Sequence, residues 1–402
     1  MPARLGRDFR WLFGAYVVTN IGDGIALAAG PLLVASQTRD PFLVSLAVLA
    51  GYLPHLVFGL LAGAIADRHD RRRIVAGVNV FRALVLVVLT AMIATNAVSI
   101  GLVLVTLFVL GTAETFADAS SSTLIPSLVP REDLGVANAR QQGATVLLNQ
   151  LATPPIGAFL FVIGMALPFG VNAIGFALGA VLVSRVAGST RADRTAGPSH
   201  LRQEIGQGIR WLVHHPPMRT LALTILLFNV TFGASWSVLV LYAGERLAMD
   251  AVGFGLLTTA IAVGGIVGTV SYGTLERRFA LADLMRVGLV IETLTHLVLA
   301  LTTSAQVALV TLVVFGAHAF TWGTLSTVVR QRAVPDELMG RVGSVYRIAI
   351  IGGIVIGTPI GGLLARLFGI TAPFWFGFFG SAVLVVVLWR QFALIVDAAE
   401  AD

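Results

Sequence analysis

Asp23, Arg82, Glu114 and Asp118 stand inside long apolar runs in the first half of this chain; Glu292, His296, His318 and Arg347 do so in the second. An ionisable side chain inside a lipid-spanning helix costs at least about 2.5–3.5 kcal/mol, so it normally faces a cavity or a partner. With a rise of 1.5 Å per residue, Asp23 and Glu114 fall ~18 Å deep, near the bilayer midplane. A carboxyl group held there, away from water, could exchange a proton near neutral pH or bind a cation. Asp23 lies between Gly22 and Gly24 and could equally stabilise a loosened first helix. Arg82 and Asp118 lie at matching depths of ~12 Å, which predicts an ion pair joining the third and fourth spans. Glu292 with Arg347 is the expected counterpart in the second half. His55, His296 and His318 are expected as hydrogen-bonded core residues, although imidazole can also shuttle protons.

The elements that must position these groups are membrane helices. Of 402 residues, 56% are hydrophobic and 12% charged, and the mean hydropathy is +0.88. Soluble domains average about 25% charged residues, so this chain has too little polar surface for a water-soluble body. There is no cysteine, hence no disulfide and no thiolate metal site, and every basic residue is Arg. Arg stays charged at physiological pH, so no lysine-type proton carrier exists. A phosphate-binding loop of the Gly-x-x-x-x-Gly-Lys type is excluded with it. No set of metal ligands and no nucleophile–base set stands out, so neither an enzyme nor a cofactor is expected.

A bilayer-crossing helix needs about 20 apolar residues. Twelve runs meet this, near 11–33, 43–65, 74–94, 100–122, 134–161, 167–186, 218–242, 253–272, 284–301, 307–327, 339–364 and 371–388. They are too long for barrel strands and lack alternation. Residues 1–10 are short and basic, and the run after them reads as the first span rather than a cleaved leader. With the loop at Asp67–Arg73 assigned to the cytoplasm, only Arg39, Arg246 and Arg366 fall outside. That asymmetry follows the positive-inside rule and puts both termini in the cytoplasm. Expected domains are an N-terminal six-helix bundle (1–187), a cytoplasmic linker (188–217) and a C-terminal six-helix bundle (218–402). Within the linker, Leu201, Ile205, Ile209 and Leu212 recur on one helical face, which predicts an amphipathic helix on the membrane surface. The halves echo each other: Val129-Pro130-Arg131-Glu132 matches Val334-Pro335-Asp336-Glu337, and Pro155-Ile156-Gly157 matches Pro359-Ile360-Gly361. Two parallel repeats are a transporter design.

Four groups of residues together resemble the major facilitator superfamily. They are the loop Gly63, Asp67, Arg68, Arg71, Arg72 and Arg73; the amphipathic run from Ile205 through Trp211 to Pro216; the opening Arg10, Trp11, Gly14 with Asn20, Gly22 and Asp23; and Pro126, Pro130, Arg131, Glu132, Asp133 with Ala137, Asn138 and Ala139. The last three are similar to the branch that contains enterobactin exporters and macrolide efflux pumps. The resemblance implies an all-α membrane fold of twelve transmembrane helices in two pseudo-symmetric six-helix bundles. It also implies that Gly63, Asp67, Arg68, Arg71, Arg72 and Arg341 form a cytoplasmic gate, with Asp67 near the start of the eleventh span, where it could pair with Arg341; the alternative is that Asp67 only caps its own loop. Two departures limit what carries over. Span five has Thr153-Pro154-Pro155-Ile156-Gly157-Ala158 where an efflux element reads Gly-Pro-x-x-Gly-Gly, and span four has Glu114 and Asp118 where an Arg is common.

The expected function is export of a small amphipathic molecule, such as a drug, macrolide or siderophore, in exchange for protons across a bacterial cytoplasmic membrane. Asp23, Glu114, Asp118, Arg82 and Glu292 are the candidates for proton coupling or substrate binding. Asn20, Asn229, Trp236, Tyr242, Phe320 and Trp322 are the candidates for cavity lining. Glycines within the spans, among them Gly264, Gly268, Gly353, Gly357 and Gly361, are expected to permit close helix approach. The expected partners are substrate, protons and membrane lipid, with no nucleic acid and a monomeric state. An uptake symporter or facilitator on the same fold, and a membrane scaffold or sensor that transports nothing, are the alternatives.

Overall fold

A computed structural model describes residues 5–187 and 201–400, without the side chains of Asp67, Ser122, Thr123 and residues 201–204 and 398–400. Asp67 as a gate residue, the polar linker at 188–199 and the Leu201 side chain of the amphipathic face therefore lie outside what it describes. The described residues are helical with no strand. In chain order the helices are α1 (Gly6–Gln37), α2 (Pro41–Arg68), α3 (Arg71–Ala94), α4 (Ile100–Leu128), α5 (Leu134–Ala144), α6 (Thr153–Ile163), α7 (Leu167–Ser184), α8 (Leu201–His214), α9 (Pro216–Trp236) and α10 (Leu239–Glu245). They continue as α11 (Ala251–Arg278), α12 (Leu281–Leu301), α13 (Ala305–Ala333), α14 (Asp336–Phe368), α15 (Ala372–Leu388) and α16 (Gln391–Glu400). Among the described residues, eleven helical segments are long and apolar enough to cross a membrane. A twelfth arises if α15 and α16, bent by 61° at their break, are taken as one span.

The chain forms two compact units. The first holds Met1–Arg39, Ala50–Ser199 and Asp250–Thr259; the second holds Asp40–Leu49, His200–Met249 and Ala260–Asp402. The amphipathic segment thus groups with the second unit, and short pieces of α2 and α11 group apart from the rest of their helices.

In the first unit, small residues decide how closely helices meet. A Cβ on Gly22 would strike the Asn172 side chain of α7, and one on Gly24 would strike Thr153 and the Asn149 backbone. α1 is one continuous helix through both glycines. They mark close helix contacts on either side of Asp23, and the expected loosening of the helix is absent. Gly157 meets the Ile25 backbone in the same way, and Gly111 of α4 meets the Gly51 carbonyl of α2. Between α5 and α6 the span widens into a π-helix at Thr145–Ala152. A π turn leaves backbone and side chains displaced from the α register, and such turns are frequent at functional sites.

In the second unit, Gly353, Gly357 and Gly361 of α14 sit against the backbone of α9 at Leu226, Val230 and Ala234. This four-residue spacing of small side chains is how helices pack where lipid gives no hydrophobic drive. Gly264 and Gly268 of α11 meet Val313 and Ala317 of α13 likewise. α8 lies against α14, with Gly208 touching the Arg341 carbonyl. Its Leu212 is buried in the core, while Ile209 and Val213 are exposed. Gly369 ends α14 with φ 92°, a left-handed conformation open to glycine at little cost.

Candidate functional site

α1, α3 and α4 of the first unit bring the midspan charges together. Arg82 sits on α3 and is almost wholly buried. Its Nη2 donates to Asp23 Oδ1 at 2.5 Å and lies 3.8 Å from Glu114 Oε2. The guanidinium also lies 3.8 Å over the centre of the Phe176 ring of α7. An aromatic face attracts a cation most strongly where water is excluded. Its Nε has no hydrogen-bond partner. A buried donor left unpaired is costly.

These groups line a cavity of about 160 Å³. Tyr16, Asn20 and Asp23 contribute one wall from α1, Asn79 and Arg82 a second from α3, and Glu114 and Asp118 a third from α4. Thr145 and Asn149 from the π segment complete it. Tyr16 and Thr145 share a 2.6 Å hydrogen bond between their hydroxyls, which ties the π segment to α1. On α2, His55 Nδ1 donates to the Gly51 carbonyl at 3.2 Å, which leaves Nε2 as the acceptor. Donor atoms of His55, Glu114 and Asp118 all lie within 4.8 Å of one another. One cation, whether a metal ion, a protonated amine or a hydrated proton, could touch all three.

The geometry corrects two expected pairings. Arg82 engages Asp23 and Glu114, whereas Asp118 stands one turn beyond Glu114 on the cavity wall. Depth counting placed Arg82 by its Cα, but the long side chain reaches toward the midplane. Glu292 is fully buried and meets His318 and His296. Arg347 is exposed on α14 and so is not the counter-charge of Glu292.

Of the other candidates, Asn20 lines the acid cavity. Trp236 lines a separate small cavity of about 30 Å³ in the second unit, with Phe232, Phe315 and Phe374. Trp322 is buried in the core, stacked on Phe228 at 5.4 Å, Phe320 packs on Gly265, and Asn229 hydrogen-bonds back to Ile225. Tyr242 is fully buried and donates to the Leu299 carbonyl. In the basic loop, Asp70 caps α3 by accepting from the backbone N–H of Arg72 and Arg73. Arg71 donates to the Ala66 carbonyl, and Arg72 to the Val186 carbonyl at the end of α7. The space beside Gly63 is open.

Tyr16, Asn79, Thr145 and Asn149 were missed by sequence reasoning centred on charge. Tyr16, Asn20 and Asp23 do share one face of α1, and Thr145 and Asn149 one face of span five. Polar residues at helical spacing inside apolar runs were the available signal.

Comparison with known proteins agrees with this architecture. The multidrug efflux pump Tap of Mycolicibacterium fortuitum is 26% identical over 90% of each chain. Macrolide efflux protein A of Streptococcus pyogenes is 22% identical over 94% of each chain. The enterobactin exporter EntS of Shigella boydii is 24% identical over 94% of this chain and 90% of its own. Among solved structures, an inward-facing bacterial homologue of the iron transporter ferroportin superposes with a TM-score of 0.76 at 18% identity, covering 97% of this chain and 98% of its own; at that identity it supports the fold alone. The family model described as transmembrane secretion effector matches residues 3–401. The chain therefore belongs to the transmembrane secretion effector family of the major facilitator superfamily, as a multi-pass membrane transport protein rather than an enzyme.

Proposed function

We propose that this protein exports a small amphipathic molecule across a bacterial cytoplasmic membrane in exchange for protons, by alternating access. The carrying observation is Arg82, held between Asp23 and Glu114 at a polar cavity inside an apolar helical unit. Two acids share one guanidinium, and a third acid, Asp118, lines the same space. When Glu114 takes a proton, Arg82 is left with Asp23 alone. When a cationic or hydrogen-bonding substrate enters, it competes for the same carboxyl groups. Binding of one species is then linked to release of the other, because both draw on one set of charges. Relatives named for multidrug, macrolide and enterobactin export support outward transport of a bulky amphipathic cargo.

In this reading the basic loop is the cytoplasmic gate. Asp67 and Arg341 keep, in this proposal, the gating role that the family resemblance implies. Gly63 and Arg68 belong to the end of α2, and the Asp70 cap with the Arg71 bond to the Ala66 carbonyl holds the short turn at His69–Asp70 before α3. Both termini lie in the cytoplasm, and the protein acts as a monomer.

The test is a sensitivity panel of macrolides, dyes and siderophores in an efflux-deficient strain. Wild-type protein should raise resistance to at least one amphipathic compound, and collapse of the proton gradient should remove that protection. Asp23→Asn and Glu114→Gln, expressed at normal level, should each lose it. Wild-type resistance in both variants contradicts the assignment of these acids, and substrate accumulation in place of efflux would favour an uptake symporter.

A further inference from the structure

The second unit holds a buried acid that the reading above does not use. Glu292 of α12 is wholly inaccessible, and its neighbours His296 and His318 are 3% and 6% exposed. Glu292 Oε2 lies 3.3 Å from His318 Nε2, and Oε1 lies 3.7 Å from His296 Nδ1. His296 uses that Nδ1–H to bond the Glu292 backbone carbonyl at 3.0 Å, so Oε1 has no hydrogen-bond partner. Buried polar groups are nearly always paired, and an exception calls for an explanation.

Among the described residues, the surroundings supply no fixed positive charge. α13 packs on α12 and carries His318 at this level; its Arg330 lies over the Tyr346 ring and its Arg332 pairs with Glu276 of α11. On α12 itself, Asp283 and Arg286 pair with each other. α15 carries no ionisable residue, Asp397 of α16 is exposed, and Arg219 of α9 bonds the Val213 carbonyl. Around the cluster stand Phe228 and Phe315, both in ring contact with His318. A carboxylate in such a place keeps its charge only beside an imidazolium; otherwise it must be a neutral acid. Either state holds one proton between Glu292 and His318.

Position in the repeat points the same way. Glu292 is the twelfth residue of α12, and Arg82 is the twelfth residue of α3. His318 is the fourteenth residue of α13, and Glu114 the fifteenth of α4. The acid and the base have changed places between equivalent helices, and the base has become one that can lose its proton.

We propose that Glu292 and His318, with His296 beside them, form a second proton-binding site, built into the C-terminal bundle and separate from the acid cavity. The small cavity lined by His296, Thr295, Ser235 and Trp236 is room for water beside it. If transport is proton exchange, as proposed above, this cluster carries a proton in addition to that of the acid cavity.

Full-length protein labelled with ¹⁵N-histidine and placed in lipid bilayers gives a readout that needs no substrate. The His318 ring signals are identified by their loss in His318→Gln. They should change as the bulk pH is varied and the shared proton is lost. Glu292→Gln should move the midpoint at least tenfold in proton concentration, and Asp23→Asn should leave it within twofold. Should Glu292→Gln fail to accumulate, Glu292→Asp keeps the acid, shortens it, and should move the midpoint severalfold. A His318 that keeps one neutral tautomer throughout, or a midpoint indifferent to position 292, overturns the site. Ethidium-driven proton counterflow in proteoliposomes separates the two readings: none in wild type removes the exchange reading, whereas wild-type counterflow that persists in Glu292→Gln removes only the coupling role of this cluster.

Discussion

The acid cavity of the first unit and the Glu292 cluster of the second use equivalent helices in opposite ways. In the first, a permanent cation sits at the centre and carboxyl groups surround it, beside a cavity of about 160 Å³. In the second, the acid sits at the centre, imidazoles and aromatic rings surround it, and the neighbouring cavity is about 30 Å³. A guanidinium cannot be neutralised, so the first site must keep a counter-charge and tolerate water or substrate. An acid–imidazole cluster can be neutral as a whole and can therefore be sealed. In equivalent helices, the choice of central residue sets a polar cavity around Arg82 against an enclosed acid–imidazole cluster around Glu292.

The comparison breaks first at Arg82. Arg82→Gln removes a buried cation from beside two partly exposed acids and should cost about 2–3 kcal/mol, below the range for a fully buried ion pair because water screens Asp23 and Glu114. Thermal unfolding in detergent would show it, and adding Asp23→Asn should recover much of the loss. Glu292→Gln is the opposing case: a neutral isostere in a site already neutral as a whole should change stability by only about 1 kcal/mol, the scale of one hydrogen bond. Equal losses in the two variants would erase the distinction. Phe176→Leu takes the ring from beneath Arg82 and should cost about 1–2 kcal/mol. Tyr16→Phe, which cuts the hydroxyl contact to Thr145, should cost about 1 kcal/mol and slow efflux without abolishing it. The smallest effect is expected at Gly63→Ala. The space there is open, so helix propensity alone should stabilise by about 0.5–1 kcal/mol, and unchanged transport would remove Gly63 itself from the gate.

Much of the fold was legible because it is written in length and hydropathy. The apolar runs gave the spans, and the fifth, read as 134–161, is observed as Arg131–Ile163. The π-helix inside it was not legible, since no composition rule marks where an α register widens. The twelfth run, read as 371–388, matches α15, and the further helix α16 beyond Arg390 was not anticipated. Glycines at four-residue spacing in α14 were read as contacts and are contacts. At the site, Asp23, Glu114, Asp118 and Asn20 were legible as polar groups in apolar helices. The partner of Arg82 was not, because depth along an axis says nothing about rotation around it or about the reach of a long side chain. Trp322 and Phe320 looked like cavity liners by type alone; packing put Trp322 into the core against Phe228, while Phe320 is half-buried against Gly265. The histidines show the same limit: sequence marked His296 and His318 as core residues, but only the fold could place Glu292 between them.

Proton counterflow measured in proteoliposomes as an amphipathic dye such as ethidium runs down its gradient tests the central claim most directly. Wild-type protein should move protons against the dye, and Asp23→Asn or Glu114→Gln should cut that counterflow at least tenfold while leaving a folded, correctly inserted protein. Undiminished proton movement in both variants would show that the charges around Arg82 hold the helices together and do not carry the exchange.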